Sequence, residues 1–309
     1  MEFWLSYDLS TPLTPADFDC SNIPADAKIR KQMVSECQKL GLSCPFHVLV
    51  LERSKRNRGS SFICHTITNK IPTQSVVHLT EHIDIISPEC CYLLAAQDMT
   101  VAELAVLATD FLGNYRLDKS AKFGLSSRDP ITSKEKIASY ITNISKVKGI
   151  KKARAAINYA YSGSCSPVES KIAVVASLPC LYGGYGLPRA ELNAYVTLSK
   201  EAAKLLFRNT CCCDMVWRKQ NFIVEYDSDL VHSSPKQVRY DKRRSDAVCM
   251  SGFSLLHVTK DYFSNQNTID DLFEIIRKSL GVRSNKKMLE KHKDIHFEVI
   301  KRLFLMLPQ

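Results

Sequence analysis

The stretch "CDMVWRKQNFIVEYDSDLVHSSPKQVRYDKRRSDAVCMSGFSLLHVTKDYF", residues 213–263, decides the fold. Cys211–Trp217 and Phe222–Asp227 are apolar runs with β-branched and aromatic residues. The polar turn Arg218–Asn221 joins them, which predicts a hairpin. Pro235–Met250 has helical spacing and a basic face, and it stops before Gly252. Phe253–Val258 then reads as a buried strand. Strand, strand, helix, strand is an α/β pattern that asks for a mixed sheet.

The chemistry lies in that hairpin. Asp214 is on the first strand, and Glu225 and Asp227 are two apart on the second. Residues at i and i+2 of a strand share a face, so Glu225 and Asp227 point to one side. The hairpin can bring Asp214 beside them. Three converging carboxylates form a hard oxygen site suited to Mg²⁺ or Mn²⁺. A metal held so can polarise a phosphate and activate a water for phosphodiester hydrolysis.

Upstream, Ser166-Pro167-Val168-Glu169 places a cap, a Pro at the first helical position and an acid in the first turn. The helix is predicted to run to Leu178. Glu169 has two readings, as part of a metal shell or as a complement to the helix N-terminus. Leu181–Pro188 is a Gly/Pro/Tyr loop, and Glu191–Leu198 alternates like a strand. Thr268–Leu280 is amphipathic. Lys286–Leu307 is read as a final helix, basic early and apolar late.

The first half reads as a small α+β domain. Strands are predicted at Phe3–Tyr7, Phe46–Leu51, Ser61–Thr68 and Ser75–Leu79, with a helix over Ala25–Leu40 ending at Gly41. Ser54–Ser61 is a basic loop. Ser87-Pro88-Glu89 opens the helix Glu89–Gln97. Thr100, with Glu103 as its capping-box partner, opens Thr100–Leu112. Gly113–Pro130 is a polar connection, and Ser133–Val147 with Ile150–Tyr161 forms a basic helical pair. The domain expectation is 1–161, 162–282 and a C-terminal helix over 283–309.

Composition bounds the class. The 309 residues are 45% hydrophobic and 24% charged, as in an ordinary globular protein, which excludes a disordered chain, a collagen and a coiled coil. No run approaches the ~18 apolar residues of a membrane span. Met1-Glu2-Phe3-Trp4 has no basic or apolar leader pattern, so a cytoplasmic location is expected. The net charge is +10, and residues 151–309 carry 25 Lys and Arg against 16 Asp and Glu. A basic second half suggests a polyanion such as DNA. The twelve cysteines show no CxxC spacing, so Cys211-Cys212-Cys213 reads as strand and not as zinc ligands.

Residues 213–263 resemble the Vsr-like endonuclease domain family of the PD-(D/E)XK nuclease superfamily. The shared pattern is Asp214, then Glu225-Tyr226-Asp227, then His232, then Asp241-Lys242-Arg243-Arg244, then Gly252 with Phe253–Thr259. "SCSPVESKI" (Ser164–Ile172) matches the family's helix start. The resemblance covers about Ser164–Leu280. It departs at Ser228, where the family commonly has Gly, and at Asp227, where the superfamily usually has Lys.

The resemblance implies a restriction-endonuclease-like mixed sheet flanked by the Ser166 and Pro235 helices. It also implies a Mg²⁺- or Mn²⁺-dependent DNA endonuclease. Asp214 and Glu225 would bind metal, with Asp227 assisting and Glu169 as an acid on the first helix. His232 would orient water or protonate the leaving group, and Arg244 would hold the scissile phosphate. Arg218, Lys236, Arg239, Lys242 and Arg243 would contact the backbone. Trp217, Tyr226 and Tyr240 offer rings for stacking, although Trp217 suits a core better.

"FHVLVLERSKRNR" (Phe46–Arg58), "HIDIISPECCYLLAA" (His82–Ala96) and "VAELAVLATDFLG" (Val101–Gly113) are similar to the region preceding the nuclease domain in AbiEi-related bacterial proteins. That implies a defence or toxin–antitoxin-like setting and a partner protein held by the first domain. The alternative is a non-catalytic nucleic-acid-binding or regulatory module on a relict nuclease fold.

Overall fold

The strand expected at Phe3–Tyr7 is a helix in the computed structural model, which describes residues 1–7, 14–16, 27–39, 42, 44–50, 61–66, 72–80, 83–121, 123–142, 144–227 and 235–305. This helix, α1 (Glu2–Ser6), is shorter than any helix that stands alone in water. Tertiary contacts hold it. Phe3 and Trp4 are buried, and Trp4 Nε1 donates to Ile86 O at 3.0 Å. Arg128 Nη1 donates to the carbonyls of Trp4 and Tyr7 at 2.6 and 2.9 Å, satisfying acceptors at the helix end. Adjacent apolar residues carry no period, so nothing local distinguishes helix from strand here.

The chain divides into two compact units, residues 1–98 with 116–154, and residues 99–115 with 155–309. In the first, α1 is followed by β1 (Thr14–Ala16), α2 (Ala27–Lys39), β2 (Phe46–Val50), β3 (Phe62–Thr66), β4 (Val76–Thr80), β5 (Ile83–Ile86) and α3 (Pro88–Ala95). Strands β1, β4 and β5 form an antiparallel sheet, and β2 pairs with β3 in parallel. Helix α3 starts at the predicted cap, with Ser87 Oγ accepting from Cys90 N at 3.2 Å. Gly41 and residues 54–60 of the expected basic loop lie outside the described residues.

Helix α4 (Val101–Phe111) groups with the second unit. All of its residues except Glu103 and Asp110 are buried, so it is apolar nearly all round and serves as a core element. Its capping box is complete: Thr100 Oγ1 accepts from Glu103 N, and Glu103 Oε2 accepts from Thr100 N. Thr100→Ala is expected to cost about 1 kcal/mol in urea denaturation, and Thr100→Ser to restore it. The stretch Gly113–Pro130, read as a bare connection, holds a two-stranded ladder of β6 (Tyr115–Leu117) and β7 (Leu125–Ser127). Asp118 organises its turn by accepting from the Ser120 and Ser126 hydroxyls. Helices α5 (Lys134–Thr142) and α6 (Ile150–Ala156) follow.

The second unit continues with α7 (Pro167–Ser177), β8 (Glu191–Thr197), α8 (Lys200–Leu206), β9 (Thr210–Trp217), β10 (Phe222–Asp227), α9 (Pro235–Met250), β11 (Ser254–Thr259) and α10 (Gln266–Ser279). The strand order is β11-β10-β9-β8. Strands β8, β9 and β10 form an antiparallel meander, whereas β11 runs parallel to β10. The parallel step needs a crossover, and α9 supplies it. The turn of the β9–β10 hairpin closes on Asn221, whose φ of +49° suits an asparagine.

The sheet core contains Val196, Cys211, Cys213, Val216 and Ile223 together with Ala247 and Val248 of α9. Cys211 and Cys213 are therefore core residues, while Cys212 alternates to the other side. Trp217 is also buried, its Nε1 donating to Pro188 O at 2.8 Å. Strand β11 was expected to be buried. It is an edge strand, and only Val258 is fully covered. Helix α8 had no counterpart in the sequence expectation.

The final helix expected over Lys286–Leu307 is broken. It forms α11 (Lys286–Lys291), α12 (Lys293–Ile300) and a turn of π-helix over Lys301–Leu305. The break at His292 lets α12 dock through His296, whose Nδ1 meets Gly183 O at 2.8 Å and whose Nε2 meets Asp270 Oδ1 at 3.0 Å. Val299 sits so close to Gly183 that a Cβ there would lie 2.7 Å from its methyl carbon. No helix among the described residues is long and apolar enough to cross a membrane.

Candidate active site

Asp214 marks an interruption in the sheet. On the β8 side, the register pairs Leu192 with Met215 and Ala194 with Cys213, and the intervening Asn193 has a φ of +46°. On the β10 side, the ladder ends at Val224 with Met215. Beyond it, Asp214 Oδ2 accepts from Tyr226 N at 2.8 Å, so a carboxylate replaces a main-chain rung. Asparagine is among the few side chains that accept a left-handed backbone, and here it breaks the strand opposite Asp214.

Three acids meet at this interruption. Glu225 of β10 is 4% exposed, and its Oε1 accepts from Arg244 Nη2 of α9 at 2.8 Å. The same Nη2 donates to Cys212 O at 2.6 Å. Burial raises the Glu225 carboxyl, and the Arg244 guanidinium opposes that rise. Burial first, and then the neighbouring Glu225, push the Asp214 carboxyl up to about 7. Glu169 of α7 is also raised, by burial and then by Asp214. Its Oε2 accepts from Asn193 Nδ2 at 2.8 Å and from Cys165 N at 3.0 Å. The Cys165 thiol, facing Glu169, Cys212 and Asp214, is pushed up to about 11, chiefly by burial.

The two further acids expected near this pair have different partners. The charge of Asp214 acts on Glu169. Asp227, two residues beyond Glu225, turns to His257 of β11, with Oδ2 to Nδ1 at 2.7 Å. His257 Nε2 in turn meets Ser245 Oγ of α9 at 3.1 Å. His257 pairs with Glu225 in the parallel ladder, so counting β10 against β11 could have singled it out. His232 and Ser228 lie outside the described residues. Asn193 also escaped the sequence reading, because an asparagine in an alternating strand gives no sign of a left-handed φ.

The expected cationic contacts divide in two. Arg218 is committed: its Nε donates to Glu191 Oε1 and Oε2 at 3.0 and 2.8 Å, and its Nη2 donates to Tyr195 O at 3.0 Å. Lys236, Arg239, Lys242 and Arg243 are exposed along α9 and make no ion pair among the described residues. Arg244 belongs to Glu225 and the Cys212 carbonyl rather than to an open face.

Among the described residues, no group of three or more His, Cys, Asp and Glu side chains could hold a metal ion by itself. Mg²⁺ does not need one, since it is usually held by one or two carboxylates with waters and substrate phosphates completing an octahedron. Asp214 and Glu225 fit that demand: two adjacent oxygen acids, Glu225 buried and Asp214 half-buried, with the Asp214 carboxyl raised by burial and by Glu225. In comparisons with known proteins, no family model, no curated protein and no solved structure matches this chain.

Proposed function

We propose that the second unit is a divalent-cation-dependent DNA endonuclease of the Vsr-like type, on a PD-(D/E)XK fold. The observation that carries this reading is the adjacent Asp214–Glu225 pair at the sheet interruption, with Glu169 of the leading helix within reach of the Asp214 charge. The leading helix α7, the three antiparallel strands with α8 between the first two, the crossover helix α9 and the parallel strand β11 support it, as does the basic, exposed face of α9.

Asp214 and Glu225 would hold Mg²⁺ or Mn²⁺, which supplies polarisation of the scissile phosphate and a more acidic water. Arg244 keeps Glu225 ionised and aimed. Asn193 fixes the Glu169 carboxylate beside Asp214. Lys236, Arg239, Lys242 and Arg243 track the phosphate backbone and make binding fall with salt. Proton transfer belongs to His232, as the resemblance implies. The first unit holds a partner protein in a cytoplasmic defence or toxin–antitoxin-like setting.

The test is a plasmid-nicking assay in Mg²⁺ and Mn²⁺ over a range of salt. Wild-type protein is expected to nick. Asp214→Ala and Glu225→Gln are expected to lose at least about 100-fold in rate, as removal of groups around a catalytic metal does. Supercoiled, nicked and linear DNA left intact by wild-type protein under all these conditions overturns the reading.

The Arg244–Glu225 ion pair favours a second reading, because Glu225 already has a cation of its own. A non-catalytic binding module would retain DNA in metal-free buffer and would do so equally with Asp214→Ala.

A further inference from the structure

Beside the carboxylates lies a cleft of about 330 Å³, between the end of α8 and the middle of α9. Tyr195, Arg208, Cys212, Tyr240, Asp241 and Arg244 are among its lining residues. Two of these are exposed aromatic rings: Tyr195 is 66% and Tyr240 39% accessible. Exposed tyrosines facing a recess bury no core, and their flat faces suit a planar ligand.

The position of the cleft relates it to the acids. Tyr195 is the direct ladder partner of Cys212. Cys212 and Asp214 are two residues apart on β9, about 7 Å along the strand. The cleft therefore opens one short step from Asp214, comparable with one nucleotide of an extended strand. Arg208 and Arg244 are the cations among its lining residues, beside Asp241. Helix α8 carries Lys204 and leads into Arg208, and α9 carries Arg239, Lys242 and Arg243, all exposed. Helix α8 packs directly on α9, and the two helices bound the recess.

A duplex keeps its bases stacked inward and cannot fill such a recess. A base that is unpaired, or already turned out of the stack, can lie on a tyrosine while arginine takes the adjoining phosphate. We propose that this cleft receives one unpaired nucleotide next to the scissile phosphate, so that the protein binds single-stranded or locally unpaired DNA in preference to intact duplex. The proposal rests on the endonuclease reading for its polyanion and deepens it by naming the strand form that the site takes. Tyr195 and Tyr240 provide the stacking surface, Arg208 the phosphate contact, and Asp241 an acceptor for the edge of the base.

The experiment uses the full chain and fluorescence anisotropy with a labelled twelve-nucleotide thymidine strand and a blunt duplex of equal length. Binding is measured in EDTA, so that cutting does not enter. The expected result is about tenfold tighter binding of the single strand. Tyr195→Ala removes that preference, Tyr195→Phe keeps it, and Arg208→Ala weakens single-strand binding several-fold. Circular dichroism checks that each variant folds.

Equal affinity for the two forms, a preference that survives in Tyr195→Ala, or no binding at all overturns the proposal. The endonuclease reading fails separately. Single-strand preference without nicking in Mg²⁺ or Mn²⁺ leaves the cleft standing and removes the enzyme. Nicking without preference does the reverse.

Discussion

Arg244→Ala is expected to lower the unfolding free energy of the second unit by about 3 kcal/mol, the scale for breaking a buried ion pair from one side. The side chains of Arg244 and Glu225 are 25% and 5% exposed, so water can replace little of what is lost. The substitution strands the Glu225 carboxylate next to Asp214 and also removes the donor to the Cys212 carbonyl. Urea denaturation at neutral pH measures the loss. A double-mutant cycle with Glu225→Gln isolates the pair. Each single change should cost nearly as much as the double change, because either one dissolves the same interaction. A loss below about 1 kcal/mol for Arg244→Ala would show that Glu225 finds another partner, and the account of this site would be wrong.

That ion pair shows how far the sequence could be read. Asp214 and Glu225 were legible because a two-residue period, a polar turn and a flanking helix all bear on the same few residues, and local rules govern each. Ser166-Pro167-Val168-Glu169 was legible for the same reason, and Ser166 Oγ does accept from Glu169 N at 3.2 Å. The partners of the other two acids were not local. Asp227 was named by its spacing from Glu225 and Glu169 by its place at a helix start, and their partners lie far along the chain: Asn193 for Glu169, and His257 for Asp227. Arg244 was recognisable as a charged residue on a helix, but whether it faces a phosphate or a carboxylate depends on the phase of α9 against β10.

The misread elements have the same cause. Helix α1 exists because Trp4 and Arg128 hold it, and neither contact has a trace within residues 1–7. The break at His292 follows from the seat of His296 between Gly183 and Asp270. Helix α4 was correctly bounded by its caps, yet its partner, α7, lies across a long stretch of sequence. Caps and periods report an element's ends and faces. Which face meets which partner is decided at the level of packing, where functional strain is also stored.

The second large effect concerns the protonation of Asp214. Its carboxyl is raised from the ordinary 3.8 to about 7, first by burial and then by Glu225. The folded chain therefore holds this proton more tightly than the unfolded chain does. The stabilisation from the bound proton is complete below about pH 4, and it is lost as pH rises to about 7. Wild-type stability should fall across that window relative to Asp214→Asn, which has no proton to lose and whose amide oxygen can still accept from Tyr226 N. The difference should level off above pH 7 at about 2 kcal/mol or more in favour of the variant, below the ~4 kcal/mol that the full displacement represents. Thermal melts from pH 4 to pH 8 measure it, and parallel profiles for the two proteins would refute it. Mg²⁺ should change the comparison. A cation bound by Asp214 and Glu225 favours the ionised pair, so at pH 8 it should raise the wild-type melting temperature and leave that of Asp214→Asn nearly unchanged. A carboxylate kept at a cost to the fold, which a bound cation would relieve, is what the proposed metal site requires of this residue.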